Sequence, residues 1–291
     1  MYISGFTFIR NALKLDYPVR EAILSVLPLV DEMVVAVGSS EDTTRELIES
    51  LGPKIRIIDT VWDDTLREGG KVLAEETNKA LDAVNEKTDW CIYIQGDECI
   101  HEQYYDEIRA KMEKYKDHKQ VEGLLFDYAH FFGSYDYLAD SRSWYKKEIR
   151  IIKKLKGIRS YKDAQGFRIK GKKLRVKQIA AEVYHYGWVR HPKYQMAKLV
   201  EANKLWHSDE EVAGKFKAEE VFDYSTVDSV KTFEGTHPEV MQARIDAINW
   251  KFDRDPSVKT FSIKVKLLYA IEKYTGWRVG EYKNYKLLRG K

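Results

Sequence analysis

Cysteine is nearly absent: Cys91 and Cys99 are the only two in 291 residues. Neither has a Cys or His neighbour at zinc spacing, so no disulfide framework and no structural zinc site is expected. No apolar run approaches the ~20 residues that span a bilayer. The opening Met1-Tyr2-Ile3-Ser4-Gly5 lacks a basic region followed by an apolar stretch and does not read as a signal peptide. A cytoplasmic protein is the expectation. Excess charge of one sign is also lacking, since 49 Lys and Arg face 46 Asp and Glu. There is no internal repeat and no low-complexity linker. What is present is ordinary for a globular chain with a sizeable core, 44% hydrophobic and 33% charged. Nineteen Tyr and seven Trp add aromatic faces that suit stacking on sugars or bases.

The first hundred residues alternate strand and helix. Tyr2 to Ile9 is an apolar strand. A helix begins at Pro18, carries Val19, Ile23, Val26 and Leu27 on one face, and stops at Pro28. Met33 to Val37 is a buried strand. Thr43 and Glu46 stand at capping-box spacing for a helix to Leu51, and Gly52-Pro53 ends it. Ile55 to Ile58 is a third strand. Gly69-Gly70 precedes a helix with Leu73, Thr77, Ala80, Leu81 and Val84 on one stripe. Trp90 to Ile94 is a fourth strand. Such units predict a mainly parallel sheet covered by helices on both faces. Ligands of such sheets bind beyond the carboxyl ends of the strands. The loops to inspect are Arg10-Asn11, 38–42, 62–70 and 95–98. Further strands are expected at Val121 to Tyr128, Glu148 to Ile152 and Ala181 to Tyr186, and the chain turns helical beyond Pro192.

Asp97 and Glu98 close the strongly apolar strand Trp90-Cys91-Ile92-Tyr93-Ile94. Carboxylates there would face the ligand crevice and could hold Mg²⁺ or Mn²⁺, which prefer oxygen ligands. Such a metal would bridge nucleotide phosphates and stabilise a departing diphosphate.

Five pieces in chain order resemble the family 2 glycosyltransferases. The first strand leads to Asn11. The first helix carries Ser25-Val26-Leu27. Ser40, Asp42 and Thr44 follow the second strand as a Ser-x-Asp-x-Thr pattern. Gly70 precedes a helix with Asn78. The fourth strand ends at Asp97, the second acid of an Asp-x-Asp signature. Gln95 stands where the family usually has the first acid, and Val37 where it often has a nucleobase contact. The resemblance implies a GT-A-like α/β domain over residues 1–190, with a nucleotide-sugar half to about 100 and an acceptor half beyond it. Residues 191–291 would be a mostly helical extension. It implies inverting, metal-assisted transfer from a nucleotide-sugar donor to a glycan or lipid-linked acceptor, in cell-surface glycan synthesis. Asn11, Ser40, Asp42, Gly70 and Asn78 would bind the donor.

Glu148-Ile149-Arg150-Ile151-Ile152 looks like the arginine-bearing strand of a bacterial subgroup acting on surface polysaccharides and lipopolysaccharide cores. That places Arg150 on phosphate, Asp163 as the base, and His185, in Tyr184-His185-Tyr186-Gly187, beside the metal of Asp97 and Glu98. Chemistry supports Asp163, because an inverting transfer needs a base for the acceptor hydroxyl. Asp127, after Leu124-Leu125-Phe126, is the runner-up.

Residues 146–177 hold fourteen Lys or Arg against two acids, which fits an anionic partner or a solvated face. A nucleic-acid-binding module using this segment is one alternative, weakened by the near-neutral total and the lack of a recognised motif. A nucleotidyltransferase is another, weakened because Phe6 to Asn11 has no glycine. No nucleic-acid partner is expected. The last stretch, 259–291, has nine Lys or Arg and two Glu. Leu267, Leu268 and Ile271 fall on one helical face there, a pattern that suits peripheral contact with an anionic membrane.

Overall fold

The computed structural model describes residues 1–66, 68–216 and 220–289. Arg67, within the 62–70 loop, and Gly290 and Lys291, at the end of the basic C-terminal stretch, lie outside them.

Strand–helix alternation opens the chain: β1 (Ile3–Ile9), α1 (Val19–Val26), β2 (Glu32–Gly38), α2 (Thr44–Glu49), β3 (Ile55–Thr60), α3 (Lys71–Ala83) and β4 (Trp90–Tyr93). There follow β5 (Glu98–Ile100), α4 (Tyr105–Tyr115), β6 (Gly123–Phe132), β7 (Ser134–Ala139), β8 (Lys147–Lys153), β9 (Ile158–Ser160), β10 (Phe167–Ile169), β11 (Lys172–Lys173) and the long β12 (Arg175–Trp188). The last hundred residues hold α5 (Pro192–Asn203), α6 (Asp209–Lys215), β13 (Val230–Thr232), α7 (Gln242–Asp246), α8 (Ile263–Thr275) and β14 (Lys286–Leu287).

The main sheet runs β13-β7-β6-β8-β4-β1-β2-β3, with β12 beside β6 and also pairing β5 and β14. The four strands β4, β1, β2 and β3 are parallel. β8 turns antiparallel between β4 and β6, so the sheet is mixed, parallel through its N-terminal half. Period-two alternation explains why both faces are covered. Ile3, Ile9, Met33, Val35, Val37, Trp90 and Ile92 pack with α1 and α4 residues such as Ile23 and Ile108. Phe6, Val34, Ala36, Cys91 and Tyr93 pack on the other side with Ala80 and Leu81 of α3.

Two expectations are corrected. Thr43 makes no capping bond at α2. Asp42 does so instead, its Oδ1 accepting from the Thr44 N–H at 3.0 Å, because a carboxylate one residue earlier reaches the free amide of the first turn. The last hundred residues, expected to be mostly helical, are only partly so, and two short strands among them join the main sheet, β13 at β7 and β14 at β12. On α8, Leu268 and Ile271 are half-buried, whereas Leu267 is 64% and Ile263 88% exposed. No helix among the described residues is long and apolar enough to cross a membrane.

Candidate active site

Two cavities of about 530 and 540 Å³ meet at Gln95, which lines both. The first lies where ligands of such sheets are expected. Its walls come from the loops after β1, β3 and β4 and from α5 with the residues behind it. Trp62 forms one wall. Its ring lies under the Arg10 guanidinium, 5.5 Å from the centroid, and its buried Nε1–H has no hydrogen-bond partner. Gly38 makes that position available, since a Cβ there would stand 2.4 Å from Trp62 Nε1.

Asp97 and Glu98 are neighbours with opposite surroundings. Glu98 opens β5 and is completely buried. Its carboxylate accepts two bonds from Arg150, Nε at 2.8 Å and Nη2 at 2.7 Å, and one from the Tyr128 hydroxyl at 2.7 Å. The pairing holds Arg150 in its charged form even though burial opposes it. Glu98 and Arg150 are therefore engaged with each other here and not with the metal and phosphate expected of them. Each satisfies the other inside the protein, as two charges removed from water must.

Asp97 faces the first cavity. Its Oδ2 accepts from the Lys198 ammonium at 2.8 Å, and Lys198 also donates to the Gly187 carbonyl at 2.9 Å. Burial would raise the Asp97 pKa, but Lys198 beside it holds the carboxyl well below the usual range. Burial, helped by Arg190, lowers Lys198 to about 8. Arg190 is fully buried; its guanidinium lies 4.8 Å from the Tyr17 ring centroid, and Lys198 Nζ 5.0 Å from the same ring. Arg190 Nη1 donates to the Leu15 carbonyl at 2.9 Å, whereas its Nε and Nη2 have no hydrogen-bond partner.

His185 stands beside this cluster. Strand register brings it level with Glu98 on β5 and His130 on β6. Burial lowers His185 to about 4 and His130 to about 3, so both rings are neutral. His130 Nε2 lies 2.7 Å from the Tyr145 carbonyl, which can only accept, so that nitrogen carries the proton. His130 Nδ1 is then a lone pair and accepts from His185 Nδ1–H at 3.0 Å. His185 Nε2 is left unprotonated, 3.8 Å from Asp97 Oδ2.

This donor set does not fit a resident Mn²⁺ or Mg²⁺. Glu98 is sealed away, Gln95 is a neutral amide, the cation that Asp97 engages is Lys198, and the His185 Nε2 lone pair is a single nitrogen donor for ions that prefer oxygen. Among the described residues no three His, Cys, Asp or Glu side chains gather to hold a metal.

The second cavity is lined by Trp144, Tyr145, Tyr282 and Tyr285 together with Glu148, Asp163, Arg278 and Asn284. Four of its buried polar atoms have no hydrogen-bond partner: Glu148 Oε2, Asp163 Oδ1, Asn284 Oδ1 and Arg278 Nη1. Burial lifts Glu148 to about 7 and raises Asp163 as well. Asp163 projects from a loop in which Lys162, Ala164 and Gly166 all have positive φ. Gly70 packs against it: a Cβ there would lie 2.9 Å from Asp163 Cβ and 2.8 Å from the Trp206 ring. Trp206 lines the first cavity, so Asp163 sits near the junction of the two.

The remaining expected site residues hold loops in place. Asn11 N–H donates to Ser40 Oγ at 3.0 Å, and Asn11 Oδ1 accepts from the Glu41 N–H at 2.8 Å. Asp42 Oδ2 accepts from Lys14 N–H at 2.6 Å. Together these latch the loop after β1 to the loop after β2; Asn11 lines the first cavity, Ser40 and Asp42 do not. Asn78 ties α3 to β9 through the Ser160 N–H at 2.8 Å and reaches neither cavity. Asp127 is corrected as a base candidate. It lies outside both cavities, 3.2 Å from Lys147 Nζ and accepting from Gln178 at 2.9 Å. In the basic 146–177 segment Arg150 is buried and Lys147 and Arg159 are paired with Asp127 and Asp82, whereas Lys156, Lys162, Lys170 and Lys172 are exposed. Trp62, Glu148, Arg190 and Lys198 are the residues sequence reasoning missed. For Glu148 a signal existed, because it shares a strand face with Arg150 two positions on.

No protein-family model matches the chain, and no curated protein matches it. Among solved structures it is similar to S. aureus TarS, at 15% identity over 69% of this chain and 39% of that one, TM-score 0.41. A TarS segment in complex with UDP-GlcNAc aligns at 20% identity over 46% of this chain and 36% of that one, TM-score 0.35. Glucosyl-3-phosphoglycerate synthase from Mycobacterium tuberculosis, in complex with Mn²⁺, UDP and phosphoglyceric acid, aligns at 17% identity over 44% and 43%, TM-score 0.30. The chain thus spans between about a third and a half of the length of these structures.

Proposed function

We propose that the protein is a glycosyltransferase that moves a sugar from a nucleotide-sugar to an acceptor hydroxyl, with inversion, in cell-surface glycan synthesis. The observation that carries this reading is the pair of cavities meeting at Gln95, beyond the carboxyl ends of the parallel strands. The first suits the donor. Trp62 offers an aromatic face for a base, and the Lys198 ammonium, held by Asp97 and backed by the buried Arg190, presents a cation to a diphosphate. The second suits a polyhydroxyl acceptor, with aromatic walls for sugar faces and four unpartnered polar atoms for hydroxyls.

In this reading Asp163 is the base. Its carboxylate takes the proton of the acceptor hydroxyl as that oxygen attacks the anomeric carbon. The bond from that carbon to the diphosphate oxygen breaks, and the electron pair leaves with the nucleoside diphosphate. One displacement from the face opposite the leaving group inverts the carbon. Glu148, protonated up to about pH 7, donates a hydrogen bond to a second acceptor hydroxyl. No step is routed through a metal.

A thermal-shift panel of UDP-, GDP-, ADP- and dTDP-sugars on the full chain tests the reading. A ligand that binds only the folded state adds ~2.7 kcal/mol at a hundredfold excess over its Kd. If no nucleotide-sugar raises Tm, the reading fails.

The acceptor is a glycan or a lipid-linked saccharide, and the protein is cytoplasmic and docks peripherally on an anionic membrane. What supports docking is α8 and the turn after it, where Ile263, Leu267, Tyr274 and Trp277 are exposed beside Lys264, Lys266 and Lys273. Basic residues near an anionic surface contribute about 1 kcal/mol each. Co-sedimentation with phosphatidylserine vesicles but not phosphatidylcholine vesicles is expected. Equal behaviour with both ends the idea.

A further inference from the structure

We propose that the Lys198 ammonium takes the place a divalent cation would hold against the donor diphosphate, so that the protein binds nucleotide without metal. The inference rests on the glycosyltransferase reading and concerns the same donor cavity.

The oxygen ligands that would serve a metal are already committed, and His185 Nε2 is the one expected donor left free. Asp97 Oδ2 and the Gly187 carbonyl both accept from Lys198 Nζ, at 2.8 and 2.9 Å. The adjacent acid, Glu98, is gripped at two points by Arg150. The backbone is shaped around this arrangement. A Cβ on residue 187 would stand 2.5 Å from His185 Nε2 and 2.8 Å from Asp97 Oδ2, so only glycine lets the carbonyl come close enough to hold the ammonium. Lys198 is supplied by α5 and lines the first cavity, with only 17% of its side chain exposed.

An ammonium has three N–H donors. Asp97 and Gly187 take two, which leaves the third for a phosphate oxygen in the cavity. Arg190, fully buried and outside the cavity lining, adds a second positive charge behind Lys198 but no contact to the ligand. The cluster of Asp97, Lys198 and Arg190 therefore carries one net positive charge, the same as one Mg²⁺ on one carboxylate. When the anomeric carbon–oxygen bond breaks, negative charge grows on the departing diphosphate, and a fixed cation in a water-poor site stabilises it without rearranging.

Calorimetric titration of the full chain with UDP, ADP, GDP and dTDP, in EDTA and separately in Mn²⁺, tests this. The nucleotide that binds should do so with Kd values within about threefold in the two buffers. Lys198→Met should weaken binding in EDTA at least tenfold, and Lys198→Arg should recover most of the loss. Binding that appears only with Mn²⁺, or a Lys198→Met protein that binds like wild type, overturns the proposal while leaving the glycosyltransferase reading intact. If no nucleotide binds in either buffer, both fall. Should Lys198→Met fail to fold by circular dichroism, the wild-type comparison of EDTA and Mn²⁺ decides alone.

Discussion

The two cavities that meet at Gln95 are nearly equal in volume but treat their polar groups in opposite ways. In the first, each lining cation is paired with an acid, Arg10 with Asp64, Lys14 with Glu41, Lys204 with Glu201, and Lys198 with Asp97, while Asp63 and Asp209 add two more carboxylates and a single buried polar atom, Trp62 Nε1, has no hydrogen-bond partner. In the second, four buried polar atoms have no hydrogen-bond partner. Buried polar groups in folded proteins are nearly always bonded, and leaving one unmade costs about 1–3 kcal/mol. A cavity that collects four of them is built for a ligand that brings hydroxyls. A cavity whose cations are each matched by an acid, with one N–H of Lys198 left to spare, suits a ligand that accepts from that one ammonium. The contrast gives the donor and acceptor roles a physical basis, and each variant below removes one side of it.

The wall between the cavities should be the most sensitive place. Arg150→Met leaves the Glu98 carboxylate buried with only the Tyr128 hydroxyl and the Gln95 N–H as partners. Removing one member of a buried pair costs about 3–5 kcal/mol. The urea midpoint should fall accordingly, and a loss under ~1 kcal/mol would mean the pair does not hold the wall. Next comes the acceptor side. Asp163→Asn should lower turnover about 10²-fold, the scale of general-base loss, with nucleotide Kd within about twofold of wild type. Near-normal turnover would take the base role from Asp163. On the donor side, Trp62→Ala should weaken nucleotide binding about tenfold, since stacking of a base on an aromatic face is worth ~1–3 kcal/mol. The acceptor KM should not move, and a matching rise in KM would erase the division between the cavities.

Much of this fold was legible before the coordinates. β1 to β4 and the helices between them follow from period-two and period-3.6 spacing, because each is buried on one or both faces and its apolar residues repeat accordingly. The antiparallel additions were less legible. β9, β10 and β11 are two or three residues long, too short for any period to show. In the site, Asp97 and Asp163 line the two cavities and His185 stands beside Asp97, whereas Asp127 lies away from both. Glu98 and Arg150 were misread because a charge in an apolar strand has two explanations, a ligand contact or a partner elsewhere in the core. Here they are 52 residues apart in sequence and pair with each other. Lys198 was invisible for a related reason. Its role comes from α5 folding back over the turn after β4, a separation of 101 residues that no local pattern encodes. The Ser40 and Asp42 pattern was seen, but its side chains fasten one loop to another and do not reach into the cavity.

Glu148→Gln should have the smallest effect on turnover, and the pH dependence of its stability separates the cavities most cleanly. Burial lifts this carboxyl from its ordinary 4.5 to about 7, and the side chain is 8% exposed. Below pH 4.5 the group is protonated whether the chain is folded or not, and it contributes nothing to the pH dependence. Between 4.5 and 7 the folded state holds a proton that the unfolded chain gives up, so stability falls as pH rises. Above 7 the full cost remains, on the order of 3 kcal/mol. Glutamine is a neutral isostere that never ionises and removes this cost. Scanning calorimetry should therefore show the variant roughly 6–12 °C more stable than wild type at pH 8, given roughly 2–4 °C per kcal/mol for a chain of this size, and within about a degree of it at pH 4.5. Because Gln can still donate a hydrogen bond to an acceptor hydroxyl, turnover at pH 6 should stay within about threefold of wild type. An equal Tm change at both pH values would mean that Glu148 is ionised in the fold. The second cavity would then hold a fixed negative charge and not a neutral donor, and a polyhydroxyl ligand would no longer be the one its unpartnered atoms select.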